Sequence, residues 1–285
     1  MCATCGCSED GDGVRVTGPG AVPHEHEHDH EHGHGHGHGH RQGHGHGHGH
    51  GHGDEQTGRT VALEQDVLAK NDLLAERNRG WLGGRNTLAV NVMSSPGSGK
   101  TTLLERTIAE LGAEHTVSVV EGDQETRYDA DRIRAAGARA VQVNTGAGCH
   151  LDAAMLARAL TALDPAPGSL VFVENVGNLV CPALFDLGEG QRAVVMSVTE
   201  GDRKPLKYPH MFRTADLVLL NKIDLLPHVD FDVDRFLRDA RSVNPAVEVL
   251  RVSATRGDGM AAWYGWLSAR LPRTGAGQEQ PATAT

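Results

Sequence analysis

Three groups of side chains along this chain have the types and spacing to hold a metal ion. The N-terminal "MCATCGC" packs Cys2, Cys5 and Cys7 into six residues, with Gly6 permitting a sharp turn. Thiolates this close can wrap one soft or borderline ion, with a backbone nitrogen or the α-amine in a fourth position, and their spacing does not separate zinc from nickel. Fourteen histidines follow between residues 24 and 53: His24, His26, His28, His30, His32, His34, His36, His38, His40, His44, His46, His48, His50 and His52. They alternate first with Glu25, Glu27, Asp29 and Glu31, which attract cations, and then with glycines, which let the chain wrap. Imidazole binds zinc, copper and nickel alike, so this run reads as a metal reservoir without naming the ion. It is internal and punctuated, unlike the contiguous terminal histidines of a purification tag.

The third group is split. "TGAGCHLDAA" carries Cys149 and His150, and "GNLVCP" carries Cys181. Adjacent Cys and His cannot easily aim at one ion from a regular helix or strand, whereas a loop permits it. Three soft ligands on two loops leave an open position, or one shared across a symmetric dimer. Buried cysteines are also ordinary core residues. What favours a site is that Cys181 follows Gly177 by four residues, in a segment expected to move with nucleotide state. His115, His210 and His228 have no such company and read as surface or packing residues.

A second chemistry sits between these groups. The apolar run "LAVNVM" leads directly into "SSPGSGKTT" and then a helical pattern, the context that a phosphate-binding loop requires. Gly97 and Gly99, flanking Ser98, let backbone N–H groups approach phosphates, and the helix N-terminus adds partial positive charge. Lys100 would reach the β- and γ-phosphates, and the Thr101 hydroxyl, followed by Thr102, would bind Mg²⁺. The usual pattern opens with glycine where this chain has Ser94, which is expected to occupy a tight turn. In "NKID", Asn221 and Lys222 precede Asp224, whose carboxylate can accept from both guanine N1–H and the 2-amino group. Ser253 and Ala254 of "SAT" complete that guanine pattern. "VFVENVGN" ends a strand in Glu174, placed to take a water on Mg²⁺, with Gly177 near the γ-phosphate. Asp123, at the end of the second strand, is the candidate acid of the first switch; a helix-capping aspartate is the plainer reading.

These groups need a scaffold. Apolar strands are expected at 88–93, 116–121, 139–144, 169–174, 192–198, 216–220 and 247–252. Helices are expected at 100–111, 128–136, 151–162, 231–242 and 259–270. Strands rich in β-branched residues and separated by helices imply an α/β fold of the P-loop NTPase kind, a mostly parallel sheet with helices on both faces. A helix over 60–82 precedes it, with Leu63, Val67 and Leu74 on one apolar face.

The chain carries 285 residues and a net charge of −10. Nine acids against three arginines in the first sixty residues leave −6 there and −4 for the rest. Residues 1–57 have too little apolar surface to offset the entropy of ordering, so they read as a disordered metal-binding tail. Residues 58–272 read as the nucleotide-binding domain and 273–285 as a frayed end. The negative charge disfavours nucleic acid and suits a cation. No run approaches a membrane span and no signal-peptide core is evident, so a cytoplasmic protein is expected, with thiols rather than disulfides.

Taken together, "CATCGC", "SSPGSGKTTLL", "EGDQETRYDADRI", "GAGCHLD", "ENVGNLVCP", "EGDRKPLKYPHMF" and "NKIDLLP" resemble the hydrogenase nickel-incorporation GTPases, the HypB family, in the dimerising SIMIBI branch of P-loop NTPases. The resemblance implies slow, Mg²⁺-dependent GTP hydrolysis to GDP and phosphate, coupled to nickel delivery into the large subunit of [NiFe] hydrogenase. It matches Cys2, Cys5 and Cys7 to a high-affinity nickel motif and Cys149, His150 and Cys181 to a metal site of the GTPase domain holding Ni²⁺ or Zn²⁺. It places Lys204 and Lys207 near a homodimer interface, and implies the small metallochaperone HypA and the hydrogenase as partners. Other readings are a urease-type nickel GTPase, whose Cys-Pro-His motif this chain lacks, a non-enzymatic nickel or zinc store, and a zinc-trafficking GTPase.

Overall fold

A computed structural model of the chain describes residues 15–17, 53–123, 128–146 and 148–271, with side chains from residue 65 onward except Tyr128. Eight strands form one sheet: β1 (Arg15–Thr17), β2 (Leu88–Ser94), β3 (Val117–Asp123), β4 (Arg139–Asn144), β5 (Leu170–Gly177), β6 (Gln191–Ser197), β7 (Leu217–Asn221) and β8 (Glu248–Arg251). Their order is β1-β4-β3-β5-β2-β6-β7-β8. Seven run parallel, and β1 closes one edge antiparallel to β4. The helices are α1 (Gly53–Gly84), α2 (Lys100–Leu111), α3 (Tyr128–Ala135), α4 (Ala153–Leu163), α5 (Lys204–Lys207), α6 (Pro209–Arg213), α7 (Val233–Val243) and α8 (Met260–Ser268).

Alternation along the strands builds two faces. Val90 and Val92 of β2 point with Phe172 into a core closed by Leu103 and Leu104 of α2 and Trp263 of α8. Ala89 of the same strand points the other way, with Val120 and Val171, onto Leu156, Leu160 and Leu163 of α4. A third cluster joins Met93, Val194 and Met196 to Phe212 and Phe236. Burying each such side chain is worth about 1.5–3 kcal/mol, which is why the apolar runs were readable as strands.

Four features differ from the sequence expectations. Ser94 is the last residue of β2, buried and paired with Gly177 and Val195, so the phosphate loop turns after it and not at it. A strand at that position has no need of glycine. The helix expected over 60–82 runs from Gly53 to Gly84, and of its expected apolar face Leu74 is half-buried and Val67 turns outward, with the Leu63 side chain outside the described residues. Val67 is 42% exposed, while Asn71, Ala75, Asn78 and Leu82 face inward. Asn78 donates to the carbonyls of Ala153 and Leu187, and Asn71 joins the Ala153 amide to the Asp186 carbonyl. The helix docks through these amide hydrogen bonds as well as through Ala75 and Leu82, and apolar periodicity cannot reveal the amides. Strand β1 lies within the stretch read as unstructured; α5 and α6, too short for a periodic pattern, were also not anticipated. The rest of residues 1–52, with Cys2, Cys5, Cys7 and the fourteen histidines, lies outside the described residues, as do residues 272–285. Among the described residues no helix is long and apolar enough to cross a membrane.

Candidate nucleotide pocket and metal triad

Because the seven long strands are parallel, their C-terminal ends open on the same side, where ligands bind in sheets of this kind. A pocket of about 520 Å³ lies there, lined by residues 94–102, Glu121, Asp123, Arg132, Glu174, Gly177 and Lys222 among others. Gly97, at φ +73°, and Gly99, at φ +93°, adopt left-handed backbone that favours glycine. At Gly99 there is a second reason: a Cβ would come within 2.6 Å of Asn221 Nδ2. Gly177 is held to the same loop, since a Cβ would stand 3.2 Å from the backbone of Pro96.

The end of β5 brings Glu174 against the loop. Its Oε1 accepts from Lys100 Nζ at 2.7 Å and from Thr101 Oγ1 at 2.8 Å, while Oε2 is buried without a hydrogen-bond partner. Directly across the ladder sits Glu121, in register with Glu174 and also with a buried, unpaired Oε2. Burial, and then the charges of Glu174 and Asp123, raise the Glu121 carboxyl to about 8, against the pull of Lys100. Sequence reading missed Glu121. Asp123 lies two residues on, lining the pocket, its carbonyl accepting from the Thr145 amide at 3.0 Å. Residues 124–127 of the expected switch, and with them the helix-capping reading of Asp123, lie outside the described residues. Arg132 also lines the pocket. It forks onto Glu105 at 2.9 and 2.5 Å and reaches Thr102 Oγ1 at 3.3 Å.

The Asn-Lys-x-Asp motif is lashed to the phosphate loop. Asn221, buried at the end of β7, donates to the Ser98 carbonyl at 2.9 Å and accepts from the Ala254 amide at 3.1 Å. Lys222 donates to the Gly97 carbonyl at 2.7 Å. Asp224 accepts from Ser253 Oγ at 2.6 Å, which fixes the direction of its carboxylate. Ser95 contacts Glu200, which also pairs with Lys204 at 3.4 Å; Lys204 and Lys207 both lie over the ring of Tyr208.

The second site draws two residues from the loop between β4 and α4 and one from the segment after β5. The ligand atoms of Cys149, His150 and Cys181 all lie within 4.8 Å of one another. Cys149 and His150 are half-buried and Cys181 is buried. Burial lowers the His150 pKa, against the nearby Asp152 carboxylate, which favours the neutral ring and its metal-binding lone pair. Phe185 stacks on that ring, centroids 3.9 Å apart, and limits its rotation. No sequence pattern singled out Phe185. Sulfur and nitrogen donors in this number suit nickel or zinc. His115, His210 and His228 do not join the triad.

Comparison with known proteins agrees with this architecture. Residues 88–251 match the family model described as CobW/HypB/UreG, nucleotide-binding domain. The chain is 57% identical over 209 residues to the hydrogenase maturation factor HypB of Azotobacter vinelandii, covering 73% of this chain and 69% of that protein. It is 56% identical over 209 residues to the HypB of Escherichia coli (strain K12), covering 73% and 72%. Among solved structures, HypB from Archaeoglobus fulgidus superposes with a TM-score of 0.68 at 42% identity, over 72% of this chain and all of that one. HypB from Helicobacter pylori, solved in complex with nickel, superposes at 0.66 and 36% identity, over 73% of this chain and all of that one. With a P-loop NTPase sheet, a nucleotide pocket at its strand ends and relatives this similar over most of their length, the chain belongs to the hydrogenase maturation factor HypB family.

Proposed function

We propose that this protein is a GTP-hydrolysing nickel metallochaperone of the cytoplasm, which binds nickel and delivers it to the [NiFe] hydrogenase large subunit. One observation carries the reading: residues 174–181 begin in the phosphate pocket at Glu174 and end on the metal triad at Cys181. A segment shared by two sites lets occupancy of one bias the other, and the effect on affinity must be reciprocal.

In this reading Lys100 exchanges its bond to Glu174 for the β- and γ-phosphates, and Gly97, Ser98, Gly99 and Thr102 cradle them. Mg²⁺ fits the oxygen donors present: the Thr101 hydroxyl and the unpaired carboxylate oxygen of Glu174. When bound, the ion neutralises charge developing on the phosphates. Asp123 orients the attacking water, and the Gly177 N–H senses the γ-phosphate. Asp224, aimed by Ser253 and backed by Asn221, Lys222 and Ala254, selects guanine. GTP hydrolysis then acts as a timer for metal release from Cys149, His150 and Cys181. Zinc is an alternative occupant, because its ligand preferences overlap with those of nickel. Cys2, Cys5 and Cys7 hold nickel tightly, the histidine tract stores it, and the tract is dispensable when nickel is plentiful. GTP or metal favours a homodimer, and HypA and the hydrogenase large subunit are the protein partners.

The test is loss of the gene followed by a hydrogenase assay at ordinary and excess nickel. Lost activity restored by nickel supports delivery; unaffected hydrogenase refutes it.

A further inference from the structure

The loop carrying Cys149 and His150 is held in place by two side chains, one at the end of β5 and one just after it. Asn175 is fully buried and follows Glu174 in the chain. Its Oδ1 accepts from the backbone N–H of Leu151 at 3.1 Å and of Val176 at 2.9 Å. Its Nδ2 donates at 3.4 Å to Asn91 Oδ1 on β2, and Asn91 donates onward to Glu189 at 3.1 Å. Asn178 donates to the Cys149 carbonyl at 3.3 Å and accepts from the Val180 N–H at 2.9 Å. Leu151 follows His150, and Val180 precedes Cys181. The two asparagines therefore grip both stretches that carry the metal ligands.

The same segment touches the phosphate loop in alternation with these contacts. Glu174 receives Lys100 and Thr101, Asn175 holds Leu151, Gly177 lies against Pro96, and Asn178 holds Cys149. A shift of residues 174–177 by about an ångström would carry the Leu151 amide with it or stretch that bond beyond hydrogen-bonding range. Neither asparagine lines the nucleotide pocket or belongs to the triad.

We infer that Asn175 and Asn178 are positioning residues for nickel: Asn175 moves the Cys149–His150 loop with the nucleotide segment, and Asn178 holds the two ligand-bearing stretches at one spacing. This rests on the nucleotide–nickel coupling proposed above and assigns its route.

The experiment uses the full chain with Cys2→Ala, Cys5→Ala and Cys7→Ala, so that sulfur-to-nickel charge-transfer absorption reports Cys149 and Cys181 alone. Nickel is titrated at free concentrations set by a chelator buffer, with Mg²⁺–GDP and with Mg²⁺ plus a non-hydrolysable GTP analogue. The parent is expected to show affinities differing about tenfold between the two states, within the usual range of coupling. Asn175→Ala should bring that ratio to within about twofold of unity, and Asn175→Asp, which keeps the acceptor for Leu151, should restore most of it. Asn178→Ala, at a half-buried and more tolerant position, should weaken nickel about tenfold in both states, the effect usual for a residue that supports metal ligands. A parental ratio retained by Asn175→Ala, or nickel affinity unchanged by Asn178→Ala, overturns the assignment while leaving the coupling intact. A ratio of one in the parent overturns the coupling itself, and this inference with it.

Discussion

The nucleotide pocket and the metal triad share one segment of chain, residues 174–181, yet they are built differently. The pocket is made at strand ends, where ladder register fixes Glu121 opposite Glu174 and side chains of β7 and its following turn bind back onto the phosphate loop. The triad is made on two loops whose positions depend on asparagine side chains and a stacked phenylalanine. A pocket on strand ends has most of its walls fixed by the sheet, and the end of β5 is the part that reaches toward the metal ligands. A triad on loops can change its spacing when a few hydrogen bonds move. That division suits a protein whose nucleotide site sets a state and whose metal site responds to it.

Substitutions can break this contrast one region at a time. The largest effect is expected from Lys100→Ala, which removes a charge-assisted contact to phosphate. GTP affinity should fall at least about 100-fold by calorimetry while the nickel charge-transfer band persists. Asp224→Asn should weaken GTP by about 100-fold and improve a xanthine nucleotide, because the replaced oxygen now donates where guanine also donates. Equal binding of GTP by the variant and the parent would remove Asp224 from base selection. On the metal side, Phe185→Ala frees the His150 ring without deleting a ligand. Nickel affinity should fall about tenfold, with GTP affinity unchanged.

The smallest effect concerns stability. An acid whose folded pKa is raised binds more protons in the native than in the unfolded chain, so its contribution falls as pH rises between the two values. For Glu121 those are 4.5 and about 8. Without nucleotide or Mg²⁺, the melting temperature should therefore decline across that window, and Glu121→Gln should flatten the decline. An identical slope in the variant would show that burial of Glu121 does not govern it.

The features legible in the sequence are those written in contiguous residues. The phosphate loop, the Asn-Lys-x-Asp motif and the seven long strands each carry their own local signal. Glu121 was not legible, because its meaning depends on lying across a ladder from a residue 53 positions away. Phe185 and Asn175 were hidden for the same reason: each acts on a ligand loop more than twenty residues earlier. The buried face of α1 is only partly legible, because a search for apolar spacing passes over Asn71 and Asn78, through which it also docks. Ser94 stands where the motif's letters call for a turn residue, whereas the sheet extends through it.

The central claim is that one segment couples the two sites, and it is tested most directly by nickel affinity measured with bound GDP and with a non-hydrolysable GTP analogue. Affinities that differ about tenfold, with dimerisation shifting in parallel, are the expected result. Equal affinities and equal dimerisation in the two states would contradict it.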